Sequence, residues 1–323
     1  MTLNLPTPLR RAFVGSFAAI TCALTSPVAE AEDRTKLQEW HPERSPAGPV
    51  LVVVSLDDQW SYVYRNGIEI GRCAVSTGKS GHETPTGVFS ILNKDADHHS
   101  STYNNASMPY SERLTWDGVA LHAGGLPGYP SSHGCIHLPF EFSKKLFGVT
   151  HKGGTVIITK AGVVPRSDKA EDELKGIAQS AALQDLDSGD DSFLHNPEKN
   201  GGHLSLIISS ADRRIEVMQG DKLIGKAPIA LHPKVTGVPH AAYLKQAPIK
   251  GNKNTGWVTV DIARGDNTRS AGQILGSDVR MPNRFAAKLG GMIEPGSLLI
   301  TTPEPLHGHK RSQGGFVIAR PKR

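Results

Sequence analysis

The chain has 323 residues, enough for two ordinary domains of roughly 100–200 residues each. Apolar residues make up 38%, aromatics only 6%, and Gly and Pro number 34 and 22, which argues against a helical bundle and for a loop-rich β protein. The formal charge of +5 is too mild and too evenly spread to point to nucleic acid, and it fits an anionic polymer such as a cell wall or a membrane surface equally well.

Residues 1–31 read as a signal peptide. Arg10 and Arg11 form a positive start, Ala12 to Thr25 an apolar run, and Val28-Ala29-Glu30-Ala31 a small-residue cleavage site. The apolar run is shorter than the ~20 residues that span a bilayer, so no integral membrane segment is expected after its removal. The paired arginines loosely resemble a twin-arginine signal. Cys22 would leave with this segment, and the mature chain would keep Cys73 and Cys135. One disulfide between them is conceivable in an oxidising compartment.

After an extension over 32–47, residues 48–160 read as strands and turns. Val50 to Ser55 is a continuous β-branched run. Trp60 to Tyr64 alternates, and Asn66-Gly67 turns the chain into Ile68 to Val75 as a hairpin. Thr84-Pro85-Thr86-Gly87 is a turn before the strand Val88 to Ile91. A helix is expected from Pro139 to Phe147, with Gly148 after its end, and a closing strand from Thr155 to Thr159. His98-His99 reads as a solvated loop. Residues 161–200 lack sustained apolar period and read as a charged linker, with one helix near Ala170 to Leu183.

Residues 201–323 look like a second, degenerate copy of the first unit. A shift of 154 carries Ser55 onto Ser209, Asp58 onto Asp212, Val63 onto Val217, Gly71 onto Gly225 and Pro85 onto Pro239. A shift of 143 carries Pro139 onto Pro282, Phe142 onto Phe285 and Leu146 onto Leu289, and a shift of 141 carries Trp116 onto Trp257. Recurrence of that tryptophan favours packing over sugar stacking. Cys73 falls on Ala227, which marks it as a core thiol. Cys135 falls on Asp278, His133 on Gly276, Ser132 on Leu275 and His122 on Ala263, so the second unit is expected to be non-catalytic.

Cys135 lies in Ser132-His133-Gly134-Cys135 and is the candidate nucleophile. A thiol attacks a carbonyl as thiolate, so its pKa must be lowered or its proton taken. His122 follows a strand-like run, Gly118 to Leu121, and a Gly- and Pro-rich loop can fold it back beside Cys135 as the base. Gly134 allows a tight turn, and the N–H groups of Gly134 and Cys135 could face a developing oxyanion. His133, Cys135 and His137 alternate, but their spacing matches no common zinc pattern, so no metal is expected.

The segment Leu121-His122 through Ser132-His133-Gly134-Cys135-Ile136, with the Thr-Pro-Thr-Gly-Val-Phe turn, resembles the L,D-transpeptidase (YkuD-type) catalytic domain over 48–160. The resemblance implies a mainly β fold, a sandwich or mixed sheet with short helices, no cofactor, and a periplasmic location. It implies Cys135 as nucleophile and His122 as base, oriented through the carbonyl of Ala123. It also implies that Ser132, His133 and Gly134 shape the oxyanion site. The implied reaction joins a tetrapeptide stem to Cys135 with loss of D-Ala, then passes the acyl group to an acceptor amine. The amine belongs to a neighbouring stem (a 3→3 cross-link), a lipoprotein or an outer-membrane protein, in cell-wall biogenesis and cell shape. The same cysteine could serve a hydrolase, either an L,D-carboxypeptidase or an amidase; a wall-binding protein without turnover is the other alternative. One departure concerns substrate anchoring: the family usually carries Arg or Asn two residues after the cysteine, where this chain has His137. Arg280 holds that place in the second unit.

Overall fold

The computed structural model describes residues 33–102, 104–160, 166–168, 192–199, 203–220, 222–247, 256–262 and 269–306. The expected signal peptide, the linker helix near Ala170 to Leu183 and Ala263 lie outside these residues. Among the described residues no helix is long and apolar enough to cross a membrane.

The first unit holds strands β1 (Gln38–Trp40), β2 (Val50–Ser55), β3 (Trp60–Arg65), β4 (Ile68–Ala74), β5 (Gly87–Ser90), β6 (Asn93–His99), β7 (Ser107–Arg113), β8 (Ala120–Ala123), β9 (Ile136–Leu138) and β10 (Thr155–Thr159), with helix α1 (Phe140–Val149) between β9 and β10. One sheet runs β1-β4-β3-β2-β10-β5, and a smaller one runs β6-β7-β8-β9. The Asn66-Gly67 turn between β3 and β4 forms as expected, with φ of 51° and 74°, the left-handed pair that a tight hairpin needs.

Every residue of β2 is buried. One face (Val50, Val52, Val54) joins Phe89, Leu121, Ile136, Leu138, Phe142 and Leu146, beneath the small sheet and α1. The other face (Leu51, Val53) joins residues of the second unit. Burial on both faces is why this strand reads as an unbroken apolar run instead of alternating.

α1 extends one turn-fraction beyond the expected end. Gly148 is inside the helix, because the Lys94 ammonium caps the carbonyls of Phe147 (2.5 Å) and Thr150 (2.7 Å) and the Thr150 N–H returns to Leu146 O. Pro139 is the N-cap and not the first helical residue. His98 and His99 are in β6, not a loop, although both face outward; His98 Nδ1 lies 3.1 Å from Asp95. Cys73 is fully buried, and both Cys73 and Cys135 are free thiols, so the conceivable disulfide does not form.

The second unit holds β11 (Arg166–Asp168), β12 (Phe193–Leu194), β13 (Leu204–Ser209), β14 (Arg214–Gln219), β15 (Lys222–Pro228), β16 (Ala230–Leu231), β17 (Ala241–Lys245), β18 (Trp257–Asp261), β19 (Val279–Arg280) and β20 (Leu298–Thr302), with helix α2 (Asn283–Gly290). Its main sheet contains the order β12-β15-β14-β13-β20-β17, the same six-strand order as β1-β4-β3-β2-β10-β5. Thr155 pairs with Leu51 in parallel, and Leu298 pairs with Ser205 likewise. The irregularity at Val63/Tyr64 recurs at Val217/Met218. A Cβ on Gly71 would meet the Trp40 ring at 2.5 Å, and one on Gly225 would meet Leu194 Cδ1 at 2.5 Å.

The two sheets meet through Leu51, Val53, Tyr64, Val88 and Ile157 on one side and Ile207, Met218, Ala242, Leu244 and Ile300 on the other. Polar ties flank this core: Thr159 Oγ1 donates to Asp261 O (2.6 Å), and the Ala247 N–H to Asn66 O (2.9 Å). Because this core is shared, the two units are expected to unfold in one cooperative transition. Ile157→Ala and Ile300→Ala, each removing a fully buried side chain, are each expected to cost about 2–5 kcal/mol. Chemical denaturation followed by far-UV circular dichroism checks both points; two separated transitions would count against a shared core.

Candidate active site

The small sheet builds the site. β8 and β9 run parallel, with Leu121 opposite Ile136, His122 opposite His137 and Ala123 opposite Leu138. Side chains alternate along a strand. Leu121, Ile136 and Leu138 therefore point into the core, and His122 and His137 share the opposite face. Cys135 stands directly before β9, two residues from His137.

Several of these residues have an identifiable hold. His122 is 5% exposed, and its Nδ1 lies 2.8 Å from Ala123 O. That carbonyl can only accept, so Nδ1 carries the hydrogen and Nε2 is left with its lone pair. The His137 ring stands 4.8 Å from the His122 ring, and His137 Nδ1 lies 3.1 Å from Gly125 O. A Cβ on Gly124 would meet the His137 ring at 2.7 Å, so Gly124 makes room for this imidazole. The Cys135 thiol is directed at Gly118 O, 3.5 Å away, at the turn leading into β8.

Ser132 shapes the backbone around the nucleophile. Its hydroxyl donates to Cys135 O (2.5 Å) and accepts from the Gly134 N–H (3.1 Å). This corrects one expectation: the Gly134 N–H is committed to Ser132 and does not face an oxyanion. Gly134 has φ of +115°, which an L side chain rarely adopts, and that conformation is what the glycine supplies. The sequence reading missed Thr84 as a support. Its hydroxyl donates to Gly134 O (2.9 Å) and accepts from the Gly78 N–H (2.8 Å), pinning the loop after β4 to the cysteine loop. The signal was the Thr-Pro-Thr-Gly turn, read only as a turn. His133 is exposed, and its ring packs edge-on against His82 at 4.7 Å, away from the buried face that holds His122.

The electrostatics decide between two modes of thiol activation. Burial pushes the Cys135 thiol above its ordinary value, opposed by an N–H from Ala120. Burial, followed by repulsion from a charged His137, pulls His122 down to about 4. His137 is itself held down by burial, so it is no substitute for a guanidinium. The resting pair is a neutral thiol and a neutral imidazole. Both directions fit proton removal by a base.

In the second unit the corresponding positions carry other chemistry. The bridge Ser76–His137 has a counterpart in Ala230–Arg280. Asp278, buried at the end of the π-helical turn Ile274–Asp278, has Arg269 at 3.5 Å. Trp116 and Trp257 differ sharply: Trp116 is 51% exposed in the turn before β8, and Trp257 is 1% exposed at the start of β18. The expectation that Trp116 packs in the core is therefore overturned.

Residues 49–158 match the family model of the L,D-transpeptidase catalytic domain (YkuD). The matched segment contains Cys135 and His122. No curated protein matches the chain. Among solved structures, an L,D-transpeptidase from Mycobacterium tuberculosis H37Rv is 26% identical over 34% of this chain and 57% of its own, with a TM-score of 0.33. One from Mycobacterium smegmatis is 25% identical over 35% and 59%, also at 0.33. One from Stackebrandtia nassauensis is 28% identical over 41% and 64%, again at 0.33. The chain spans less than two thirds of the length of each of these structures.

Alkylation tests the neutral-pair reading. Iodoacetamide labelling of Cys135 in the folded protein is expected to rise with a midpoint above the ~8.5 of a free thiol, and Cys73, at 0% exposure, to stay unlabelled. A Cys135 midpoint below neutrality would indicate a resting thiolate–imidazolium pair instead.

Proposed function

We propose that this protein is an exported peptidoglycan L,D-transpeptidase working through Cys135. The observation that carries the reading is a buried His122, its Nδ1 hydrogen fixed on Ala123 O, in β8 beside the strand that Cys135 directly precedes, within a segment that matches the L,D-transpeptidase family model.

In the proposed reaction, the Cys135 sulfur attacks the carbonyl before the terminal D-Ala of a tetrapeptide stem, and His122 Nε2 takes the thiol proton. The Cys135 N–H faces the oxyanion. When the C–N bond breaks, His122 returns the proton to the departing D-Ala amine, leaving a thioester. An acceptor amine then attacks the thioester carbonyl, gives a proton to His122, and the proton returns to the sulfur as the new amide leaves. Each base step needs only a neutral imidazole, which burial supplies across the ordinary pH range. The acceptor is an amine of a neighbouring stem, or of a lipoprotein or outer-membrane protein. Export through residues 1–31 would place the enzyme in the periplasm, where these substrates are.

The second unit fits a degenerate copy of the first. Matching strand order and matching registers of the β2–β10 and β13–β20 pairs support this, with Asp278 and Arg280 standing where Cys135 and His137 stand. Its sheet covers Leu51, Val53, Tyr64, Val88 and Ile157, so we assign it a structural role beneath the catalytic unit.

Mass spectrometry of disaccharide-tetrapeptide incubated with the protein tests the reading. Cross-linked dimers are expected with the native chain and none with Cys135→Ala. Tripeptides alone would assign hydrolysis by the same site; unchanged substrate in both samples would refute catalysis. The pH profile of kcat/KM carries a second test. The base is active when deprotonated, and its pKa is lowered to about 4. Activity is therefore expected to persist as pH falls past 6 and to be lost only as it drops through about 4. An acid limb near the ordinary imidazole value of ~6.5 would remove His122 as the base.

A further inference from the structure

The turn before β8 carries an exposed indole on a fixed support. Gly118 N–H donates to Thr115 O (3.2 Å), Val119 N–H to Thr115 Oγ1 (3.0 Å), and Leu114 N–H to Val119 O (2.8 Å). The Arg113 side chain donates to Thr115 O (2.9 Å) and Trp116 O (2.5 Å), and its guanidinium stands 6.0 Å from the Trp116 ring centre. The turn is thus held from both sides, yet its tryptophan is 51% exposed.

A single exposed apolar side chain on a protein surface needs no explanation by itself. Two further observations make this one different. Gly118, two residues after Trp116, is the residue whose carbonyl receives the Cys135 thiol at 3.5 Å, so one short turn touches the nucleophile and displays the ring. And Trp257, 141 residues further on, is 1% exposed beneath the Lys245 ammonium, which lies 5.2 Å from its ring. The tryptophan is in the core of the unit that lacks the cysteine and on the surface of the unit that has it.

We propose that Trp116 is a stacking platform for a sugar ring of the substrate, namely the glycan to which the stem peptide is attached. This rests on the transpeptidase reading of Cys135. A pyranose presents one face of C–H groups, which pairs with the flat, electron-rich face of an indole, while its hydroxyls remain in water. A ring fixed on the turn at the nucleophile would hold the glycan at a set distance from the peptide bond under attack. It would add affinity without touching the reacting atoms.

The test compares two substrates in two proteins. With disaccharide-tetrapeptide, Trp116→Ala is expected to lower kcat/KM by about 3–10-fold, mainly through KM, and Trp116→Phe to retain most of the native value. With the sugar-free tetrapeptide, native and Trp116→Ala proteins are expected to match within about twofold. Equal losses on both substrates would assign Trp116 to the peptide and overturn the proposal. A binding measurement separates this result from failure of the transpeptidase reading. Tryptophan fluorescence of Cys135→Ala protein titrated with the peptide-free disaccharide is expected to change, and Cys135→Ala/Trp116→Ala protein to show no such change. Identical responses in the two proteins would overturn the platform even if neither substrate were turned over.

Discussion

The parallel pairing of β8 with β9 is the constraint on which the site depends. On one face, Leu121, Ile136 and Leu138 enter the core with Phe142 and Leu146. Sliding β9 by one residue would send Ile136 and Leu138 outward and His137 inward, so burial fixes the register. With the register fixed, His122 faces His137, and Cys135 is held at the start of β9. The same burial sets the protonation states, because removing water from both groups disfavours the thiolate and the imidazolium together.

Much of this was legible in the residues, for identifiable reasons. β2 and β10 stand at the expected bounds because β-branched runs buried on both faces leave little choice of conformation. The Asn66-Gly67 hairpin was legible because only such residues accept two successive positive φ values cheaply. The Ser132–Cys135 motif and His122 stood out in the sequence because their chemistry is rare in a core. What sequence did not show came from contacts distant along the chain. Lys94, far from α1, caps its carbonyls and carries the helix through Gly148. The Ser132 hydroxyl takes the Gly134 N–H that local reasoning had reserved for an oxyanion. Trp116 was misplaced because its recurrence as Trp257 was read as shared burial, and the turn before β8 is where the two units part: Trp257 lies in a strand paired with β17, and Trp116 lies in a turn.

The second unit repeats strand order and register but not chemistry. Its Asp278–Arg269 pair sits where the first unit has a thiol. What it contributes is apolar area: a sheet as exposed as β2-β3-β10-β5 would be on its outer face could not remain in water, and the second sheet removes that face from solvent. The first unit thus shares its core with a unit that carries Asp278 in place of a thiol.

Intact-protein mass spectrometry after brief mixing with disaccharide-tetrapeptide tests most directly whether Cys135 carries the acyl group. The expected species is heavier than the protein by the substrate less D-Ala, is confined to the Cys135 peptide after digestion, and is released by hydroxylamine as a thioester should be. Turnover of the substrate with no such adduct, or with an adduct on another residue, would contradict Cys135 as the nucleophile.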